Sequence, residues 1–308
     1  MPDIDGLKTV AEKYSFVCKT DEDLSRRCAY GTGGKADWYF TPTDEKTIIS
    51  LVNDLKAADA PYFVLGNGSN VLVSDEGYRG AIISTEKLKG LSLCGRILTA
   101  LSGEKVADVV KFALYSSLGG IEFLSGIPAT IGGVTAMNAG CFGKSVADRI
   151  SYVVTTKGVY PAKKCEFAYR ESLFRKNGEP IIKVAFNLDN AEYEQSESKI
   201  EYYKNLRRNK QPKGRSCGSV FLNDGYYAGK QIESCNLKGF RVGGARVSEK
   251  HANFILADEN CKSKDIYSLI RSVKKIVFEK SGVKLKEELV YIGRFEDKSM
   301  RSEERRVG

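Results

Sequence analysis

The sequence predicts an α+β fold with a change of domain near residues 205–212. The chain has 308 residues, a length that suits two domains or one large one. Its composition, 42% hydrophobic and 28% charged, is typical of a globular protein and excludes fibrous and wholly disordered chains. Short apolar runs that predict strands alternate along the chain with amphipathic segments that predict helices.

The N-terminal third predicts one helix followed by several short strands. Thr43 is expected to cap the helix, because the acids Asp44 and Glu45 follow it and suit a first helical turn. The apolar residues that continue at helical spacing are Ile48, Ile49, Val52 and Leu55. The expected buried strands are Tyr62–Leu65, Val71–Val73, 81–83 and Ile97–Leu101.

The rest of the chain predicts a second set of helices and strands around a glycine-rich segment at 119–143. Helices are expected at 105–118, 192–209 and 264–280, and strands at 150–156 and 180–188. In the last helix, one face carries Ile266, Leu269, Ile270, Val273 and Val277. The charged helix at 192–209 leads into a basic stretch, and this transition is the expected domain change.

Several features exclude whole classes of protein. No run approaches the roughly 18 apolar residues of a membrane-spanning helix. The first residues carry acids where a secretory signal would carry basic residues, so we expect a cytoplasmic protein. The 8 cysteines lie at least ten positions apart, so we expect reduced thiols and no metal site.

The net charge of +9 is concentrated in the last third of the chain. Residues 1–199 carry 24 Lys and Arg against 25 Asp and Glu, whereas residues 200–308 carry 24 against 14. The densest basic stretch is 204–215, which contains no acid. Such a stretch predicts an anionic partner, whether nucleic acid, a membrane surface or a phosphorylated small molecule, or else a solvated helix face.

Two glycine-rich segments are candidates for binding a flat, phosphorylated ligand. GNGSN at 66–70 follows a predicted strand, and its backbone N–H groups can form a nest for an anion, although a hairpin turn is the alternative. It is not a Rossmann fingerprint, since Val71–Val73 resumes a strand instead of opening a helix. The second segment, 125–140, mixes small and apolar residues more densely than a surface linker does.

Three further segments contain polar residues that can assist a reaction. YRES at 169–172 places an arginine beside an aromatic residue, although a surface ion pair also explains it. SCGSVF at 216–221 places Ser219 between a glycine and an apolar run. The lone His251 has no clear acidic partner, so a Ser-His-Asp triad is not expected. Composition does not choose between the adjacent acids Glu287 and Glu288.

Taken in order, these segments resemble the UDP-N-acetylenolpyruvoylglucosamine reductase (MurB) family, in its shorter type II form. The resemblance extends over residues 20–293. The matching segments are GGKAD at 33–37, GNGSN at 66–70, GIPATIGG with MNAG at 126–140, YRES at 169–172, RRNKQP at 207–212, SCGSVF at 216–221, RVGGARVSEKHANF at 241–254 and EELVYIG at 287–293.

The resemblance implies a flavoenzyme of peptidoglycan precursor synthesis. The implied fold is a vanillyl-alcohol-oxidase (PCMH-type) FAD-binding region at 1–207, with subdomains at about 1–75 and 76–207, followed by a smaller α+β domain at 208–295 that binds a UDP-sugar. NADPH would reduce FAD, which would then reduce the enolpyruvyl ether of the UDP-sugar to the lactyl ether of UDP-N-acetylmuramate. The resemblance implies no nucleic acid, no membrane and a monomer.

The resemblance also implies the site residues of this chain. Ser219 matches the proton donor, and Arg170 and Glu288 match the residues that stabilise the enolate. The residues implied to contact FAD are Gly66, Asn67, Gly68, Ser69, Asn70, Ser125, Gly126, Ile127, Pro128, Thr130, Gly132, Gly133, Asn138 and Gly140. Those implied to bind the substrate are Asn223, Arg207 and Lys210, and no metal is implied.

The chain departs from the family pattern at a few positions. Leu222 and Asp224 replace a lysine and a proline beside Asn223, which affects one expected contact with the substrate diphosphate. Residues 301–308 extend beyond the usual end of the family and resemble a translated sequencing adapter. The alternatives to the reductase are another FAD oxidoreductase of the same fold and a basic nucleic-acid-binding protein that uses residues 204–215.

Overall fold

The computed structural model describes residues 4–295 and contains two compact units, each assembled from separate stretches of sequence. Within the described residues, the first unit comprises 4–22, 36–69 and 80–213, and the second comprises 23–35, 70–79 and 214–295. The predicted tail at 296–308, including the suspected artefact at 301–308, lies outside the described residues.

The described residues form eight α-helices, five short 3-10 helices and eighteen short strands, in agreement with the predicted α+β class. The α-helices are α1 (Ile4–Lys13), α2 (Glu45–Ala57), α3 (Val106–Tyr115), α4 (Ile131–Ala136), α5 (Leu173–Asn177), α6 (Tyr193–Lys210), α7 (Ala228–Ser234) and α8 (Ser263–Ser281). The first strands are β1 (Cys18–Asp23), β2 (Lys35–Phe40), β3 (Tyr62–Leu65), β4 (Val71–Val73), β5 (Tyr78–Ser84), β6 (Leu91–Cys94), β7 (Ile97–Leu101), β8 (Leu118–Gly119) and β9 (Gly140–Cys141). The remaining strands are β10 (Lys144–Ser145), β11 (Ile150–Thr155), β12 (Gly158–Pro161), β13 (Ile181–Asn187), β14 (Asp189–Asn190), β15 (Arg241–Val242), β16 (Ala245–Val247), β17 (Ile255–Ala257) and β18 (Val290–Ile292).

The first unit contains two main sheets and the short two-stranded sheets β10-β9 and β14-β8. One main sheet has the order β1-β2-β5-β3, with β3 and β5 parallel, and the other is an antiparallel sheet of order β12-β11-β13-β7-β6. Each main sheet belongs to its own hydrophobic cluster. The cluster that includes the apolar face of α2 draws its residues mainly from the first 90 positions, and the cluster around α3 and the antiparallel sheet draws on residues 98–200.

The start of α2 corrects one detail of the sequence prediction. The cap is Asp44 and not Thr43, because the Asp44 side chain accepts a hydrogen bond of 2.9 Å from the backbone N–H of Thr47. Both residue types suit a cap, and the sequence alone does not say which one adopts the extended conformation. The predicted apolar face is confirmed at Ile48, Val52 and Leu55, which are fully buried.

The second unit is built around α8, whose predicted apolar face is buried along its whole length. Its sheets are the antiparallel β15-β16-β17 and the parallel pair β18-β4. Residues 70–79 belong to this unit because β4 pairs with β18 and because Asp75 caps α8 from outside. The two carboxylate oxygens of Asp75 accept the backbone N–H groups of Ser263 and Lys264, both at 2.9 Å.

The predicted domain boundary between residues 207 and 208 falls inside α6, and the division into domains stays a prediction. Among residues 4–295, no helix combines the length and apolar character needed to cross a membrane. Within the same residues, no cluster of three or more His, Cys, Asp or Glu side chains is arranged to hold a metal ion.

Candidate active site

Two of the predicted FAD-binding loops, 66–69 and 125–133, meet in the first unit. The side-chain amide of Asn67 donates a hydrogen bond of 2.7 Å to the carbonyl of Pro128. A Cβ atom on Gly66 would lie 2.5 Å from Oγ1 of Thr130, so only glycine fits there. Gly68 has a φ of +63°, a conformation that glycine adopts without strain. The structure therefore brings the loop at 66–69 against the second loop through Gly66 and Asn67.

Asn70, the last residue of the predicted loop, belongs to the second unit. Its backbone carbonyl accepts the N–H of Val290 at 3.0 Å, and its side-chain amide donates to the carbonyl of Glu288 at 3.3 Å. The five residues of GNGSN are thus divided between the two units after Ser69. The sequence gives no local signal for this division.

The second loop contains the start of a short helix, and two buried hydroxyl groups without hydrogen-bond partners lie in the loop and in the residue that it contacts. Thr130 caps α4 by accepting the N–H of Gly133, and Gly132 donates its N–H to the carbonyl of Ser102 at 2.8 Å. In the described part of the chain, the hydroxyls of Ser102 and Ser125 are buried and have no partner. Buried hydroxyls usually have a partner, so these two indicate a polar group that binds here.

Residues 136–140 contact the turn at 168–171, which contains the predicted catalytic residue Arg170. The Asn138 side chain donates to the carbonyl of Ala168 at 2.7 Å, and the Ser172 hydroxyl donates to the carbonyl of Ala136 at 2.6 Å. The guanidinium of Arg170 donates to the carbonyl of Gly140 at 2.8 Å. Three bonds therefore fix Arg170 beside two of the predicted FAD contacts, Asn138 and Gly140.

The predicted substrate-binding residue Arg207 makes its contacts with the FAD-loop region. Its guanidinium donates to the carbonyls of Ser125, at 2.9 Å, and Phe123, at 3.2 Å, and to the thiol sulfur of Cys141 at 2.8 Å. Burial raises the pKa of the Cys141 thiol, although the charge of Arg207 opposes this shift. Lys210, the last residue of α6, is exposed.

In the second unit, Ser219 lies at the start of an extended segment that has neighbours on both sides. Ser219 forms a bridge with Phe254, and Val220 donates its N–H to the carbonyl of Asn253 at 2.8 Å. On the other side, Glu288 donates its N–H to the carbonyl of Val220 at 2.7 Å. The structure therefore brings Ser219 and Glu288 onto adjacent extended segments, whereas Arg170 belongs to the first unit.

Glu287 and Glu288, which composition does not distinguish, have different surroundings. Glu287 forms an ion pair of 2.7 Å with Lys274 on α8. Glu288 instead contacts the first loop, since its carbonyl accepts a hydrogen bond of 3.3 Å from the side-chain amide of Asn70. Asn223 is exposed, and its side-chain oxygen accepts the N–H of Ala228 at the start of α7, at 2.9 Å.

Asn253 organises the site, but the sequence reasoning did not single it out. Its side chain accepts the N–H of Phe221 at 2.9 Å and donates to the carbonyl of the same residue at 2.8 Å. Asn253 itself donates its N–H to Nδ1 of His251 at 3.3 Å. Burial lowers the pKa of His251, which favours the neutral imidazole that this bond requires. The sequence feature that could have indicated Asn253 is a polar residue beside an apolar run, in HANFI at 251–255.

Two family models match successive parts of this chain, one that binds FAD and one from a reductase. Residues 36–158 match the model of an FAD binding domain. Residues 210–292 match the model described as the C-terminal domain of UDP-N-acetylenolpyruvoylglucosamine reductase. The glycine-rich loops and the first of these matches define the class of protein, an FAD-dependent oxidoreductase.

Similar proteins identify the family within this class. Reductases named UDP-N-acetylenolpyruvoylglucosamine reductase match over most of their length. The enzyme of Caldanaerobacter subterraneus subsp. tengcongensis is 34% identical, with 94% of this chain and 98% of the relative covered. That of Staphylococcus aureus is 38% identical, with 89% and 92% covered. The crystal structure of the MurB reductase from Thermus caldophilus has a TM-score of 0.77 at 30% identity and covers 90% of this chain and 98% of that one. This chain belongs to the UDP-N-acetylenolpyruvoylglucosamine reductase family, as its motifs predicted.

The residues of the first unit fit FAD, the cofactor of this family. The glycine-rich loop at 66–69 can present backbone N–H groups to an anion, and the loop at 125–133 adds the unpartnered hydroxyl of Ser125, which together suit a diphosphate. Gly66 and Gly132 leave no room for a side chain, because a Cβ on Gly132 would lie 2.9 Å from Cβ of Ser102. The two glycines therefore let the backbone of each loop pack closely against Thr130 and Ser102, which holds the loops in the positions assigned to the cofactor site.

Proposed function

We propose residue roles by which this chain reduces a UDP-sugar enolpyruvyl ether to the corresponding lactyl ether with NADPH, a step of peptidoglycan precursor synthesis. Ser219 donates a proton to the α-carbon, and Arg170 and Glu288 stabilise the charge that develops on the substrate. Bound FAD supplies the hydride chemistry that connects NADPH oxidation to reduction of the substrate. The roles of the three residues follow from what that reduction requires.

Hydride addition at the β-carbon of the enolpyruvyl group leaves negative charge at the α-carbon. The neighbouring carboxylate can take up this charge as an enolate if cationic and hydrogen-bonding groups lie against it. The intermediate then needs a proton at the α-carbon from a group in a fixed position. The guanidinium of Arg170 is suited to the first task, and the hydroxyl of Ser219 to the second.

The observation that carries the proposal is the support given to Ser219. A serine hydroxyl is a weak acid, so it is useful as a donor only where the protein fixes its position. The segment that starts at Ser219 is bonded on one side to 253–254 and on the other to Glu288. Two residues proposed to act on one intermediate are thus held by a single extended segment.

We propose that the substrate diphosphate binds Asn223, Arg207 and Lys210. The contacts described for Arg207 use Nε and Nη2, so Nη1 is the part assigned to a phosphate. The residues assigned to FAD are those predicted from the sequence. We further propose a cytoplasmic monomer that does not bind nucleic acid, which size-exclusion chromatography and a duplex-DNA binding assay at low salt test directly.

Ser219→Ala tests the proton-donor role, and Ser216→Ala, three residues earlier in the chain, is the matched control. In a single-turnover experiment, NADPH should reduce the flavin of both variants at the rate of the unmodified protein. The subsequent reduction of the enolpyruvyl substrate should slow by on the order of 10²-fold or more in Ser219→Ala only. Equal slowing of both half-reactions, or no slowing of the second, would show that Ser219 is not the proton donor.

A further inference from the structure

The turn that presents Arg170 has an unusual backbone conformation. Ala168 and Glu171 exchange two backbone hydrogen bonds, of 3.1 and 3.0 Å, so Tyr169 and Arg170 are the central residues of a tight turn. Arg170 has a φ of +57°. Glycine or asparagine normally occupies a turn position with positive φ, because other side chains are strained there. An arginine in this conformation needs support from its surroundings.

The peptide group between Arg170 and Glu171 is held at both ends. Its N–H, from Glu171, donates to the carbonyl of Ala168, and its carbonyl, from Arg170, accepts a hydrogen bond of 2.5 Å from Nη1 of Arg175. Arg175 thus contacts the backbone of Arg170, and the side chain of Arg170 stays directed at the carbonyl of Gly140. A charged donor makes a stronger bond to a carbonyl than a neutral one does.

The position of Arg175 is itself fixed by the start of α5. Ser172, which is fully buried, accepts the backbone N–H of Arg175 at 3.1 Å and donates to the carbonyl of Ala136 at 2.6 Å. Arg175 therefore lies on a helical turn anchored to the same segment, 136–140, that contacts Arg170. Loss of the Arg175 bond would free one end of the strained peptide while these anchors remain.

We propose that Arg175 is a positioning residue that holds Arg170 in its left-handed conformation and so directs the Arg170 guanidinium. This inference rests on the proposed role of Arg170 at the substrate carboxylate. Arg175 acts on the backbone of the turn, so its contribution passes through the placement of Arg170. Displacement of a catalytic group by about 1 Å can cost on the order of 10²-fold in rate.

The test compares Arg175→Met with Arg175→Lys, which keeps a cationic donor, and with Lys176→Met, an exposed neighbour on α5 as the matched control. In the full-length protein, hydrogen exchange of the Glu171 amide should be about tenfold faster in Arg175→Met and unchanged in Lys176→Met. Reduction of the enolpyruvyl substrate should slow by about 10- to 100-fold in Arg175→Met, while flavin reduction by NADPH is unchanged. Arg175→Lys should restore most of the slow exchange of the Glu171 amide and most of the rate of substrate reduction.

A double variant separates positioning from general loosening of the fold. If Arg175 acts through Arg170, then Arg170→Met with Arg175→Met should be no slower than Arg170→Met alone. Additive slowing, or equal effects of Arg175→Met and Lys176→Met, would overturn the inference. If Arg170→Met leaves substrate reduction unchanged, the proposed role of Arg170 fails, whereas exchange of the Glu171 amide still decides whether Arg175 holds the turn.

Discussion

Replacement of Asn253 by leucine should destabilise the second unit strongly. Asn253 is 3% exposed, and its amide makes two hydrogen bonds to Phe221, which is 2% exposed. Leucine has a similar shape but leaves the N–H and the carbonyl of Phe221 buried without partners. Each unsatisfied buried group costs about 1–3 kcal/mol, so the expected loss is about 2–6 kcal/mol in the free energy of unfolding.

Urea unfolding followed by far-ultraviolet circular dichroism measures this loss. Asn177→Leu is the control, because Asn177 is exposed and also bonds a nearby backbone N–H, that of Glu179, at 2.9 Å. We expect the control to lose less than about 1 kcal/mol. A loss below about 1 kcal/mol for Asn253→Leu would contradict the view that the asparagine side chain substitutes for a neighbouring strand beside Ser219.

Three further predictions concern the cap of α8, the histidine and the first glycine loop. Asp75→Ala removes the acceptor for the first N–H groups of α8, so the free energy of unfolding should fall by about 1–2 kcal/mol. An unchanged midpoint of chemical unfolding would show that Asp75 does not stabilise the start of α8. Because the folded pKa of His251 lies below 6.5, the unfolded chain takes up the proton first, so stability present above pH ~6.5 should decline as the pH falls further. His251→Asn, which retains an acceptor, should weaken this decline in urea midpoints, and an identical pH profile would count against it. Gly66→Ala should reduce the amount of FAD that the protein retains on purification, because the new Cβ would meet Thr130. Gly229→Ala is the control and should retain FAD, because no atom lies nearer than 3.5 Å to the added Cβ. Full retention of FAD by both variants would refute the role of the loop.

Local features of the fold were predictable because local sequence determines them. The strand Tyr62–Leu65 and the apolar face of α8 follow directly from apolar spacing. The assembly of the second unit from three stretches of sequence was not predictable. It depends on β4 pairing with β18, more than two hundred residues later, and no local pattern encodes the partner of a short apolar strand.

The assignment of the site residues stays a prediction, and the structure adds the contacts that the sequence does not show. The motifs identified Arg170, Ser219 and Glu288, and the structure places Ser219 and Glu288 on adjacent segments. The basic stretch predicted an anionic partner, and the resemblance implied that Arg207 binds substrate, but neither predicted the contacts of Arg207 with two carbonyls and a thiol in the FAD-loop region. Charge density indicates where cations are concentrated, but not which way a single guanidinium turns.

The most direct test of the account follows the flavin absorbance of the purified protein under anaerobic conditions, with NADPH added first and the UDP-enolpyruvyl sugar second. We expect NADPH to bleach the flavin, and the sugar to restore the colour as it is reduced to the lactyl ether. Bleaching without recovery would contradict the proposed substrate. A protein that stays colourless even after incubation with FAD would contradict the central claim that the loops at 66–69 and 125–133 bind this cofactor.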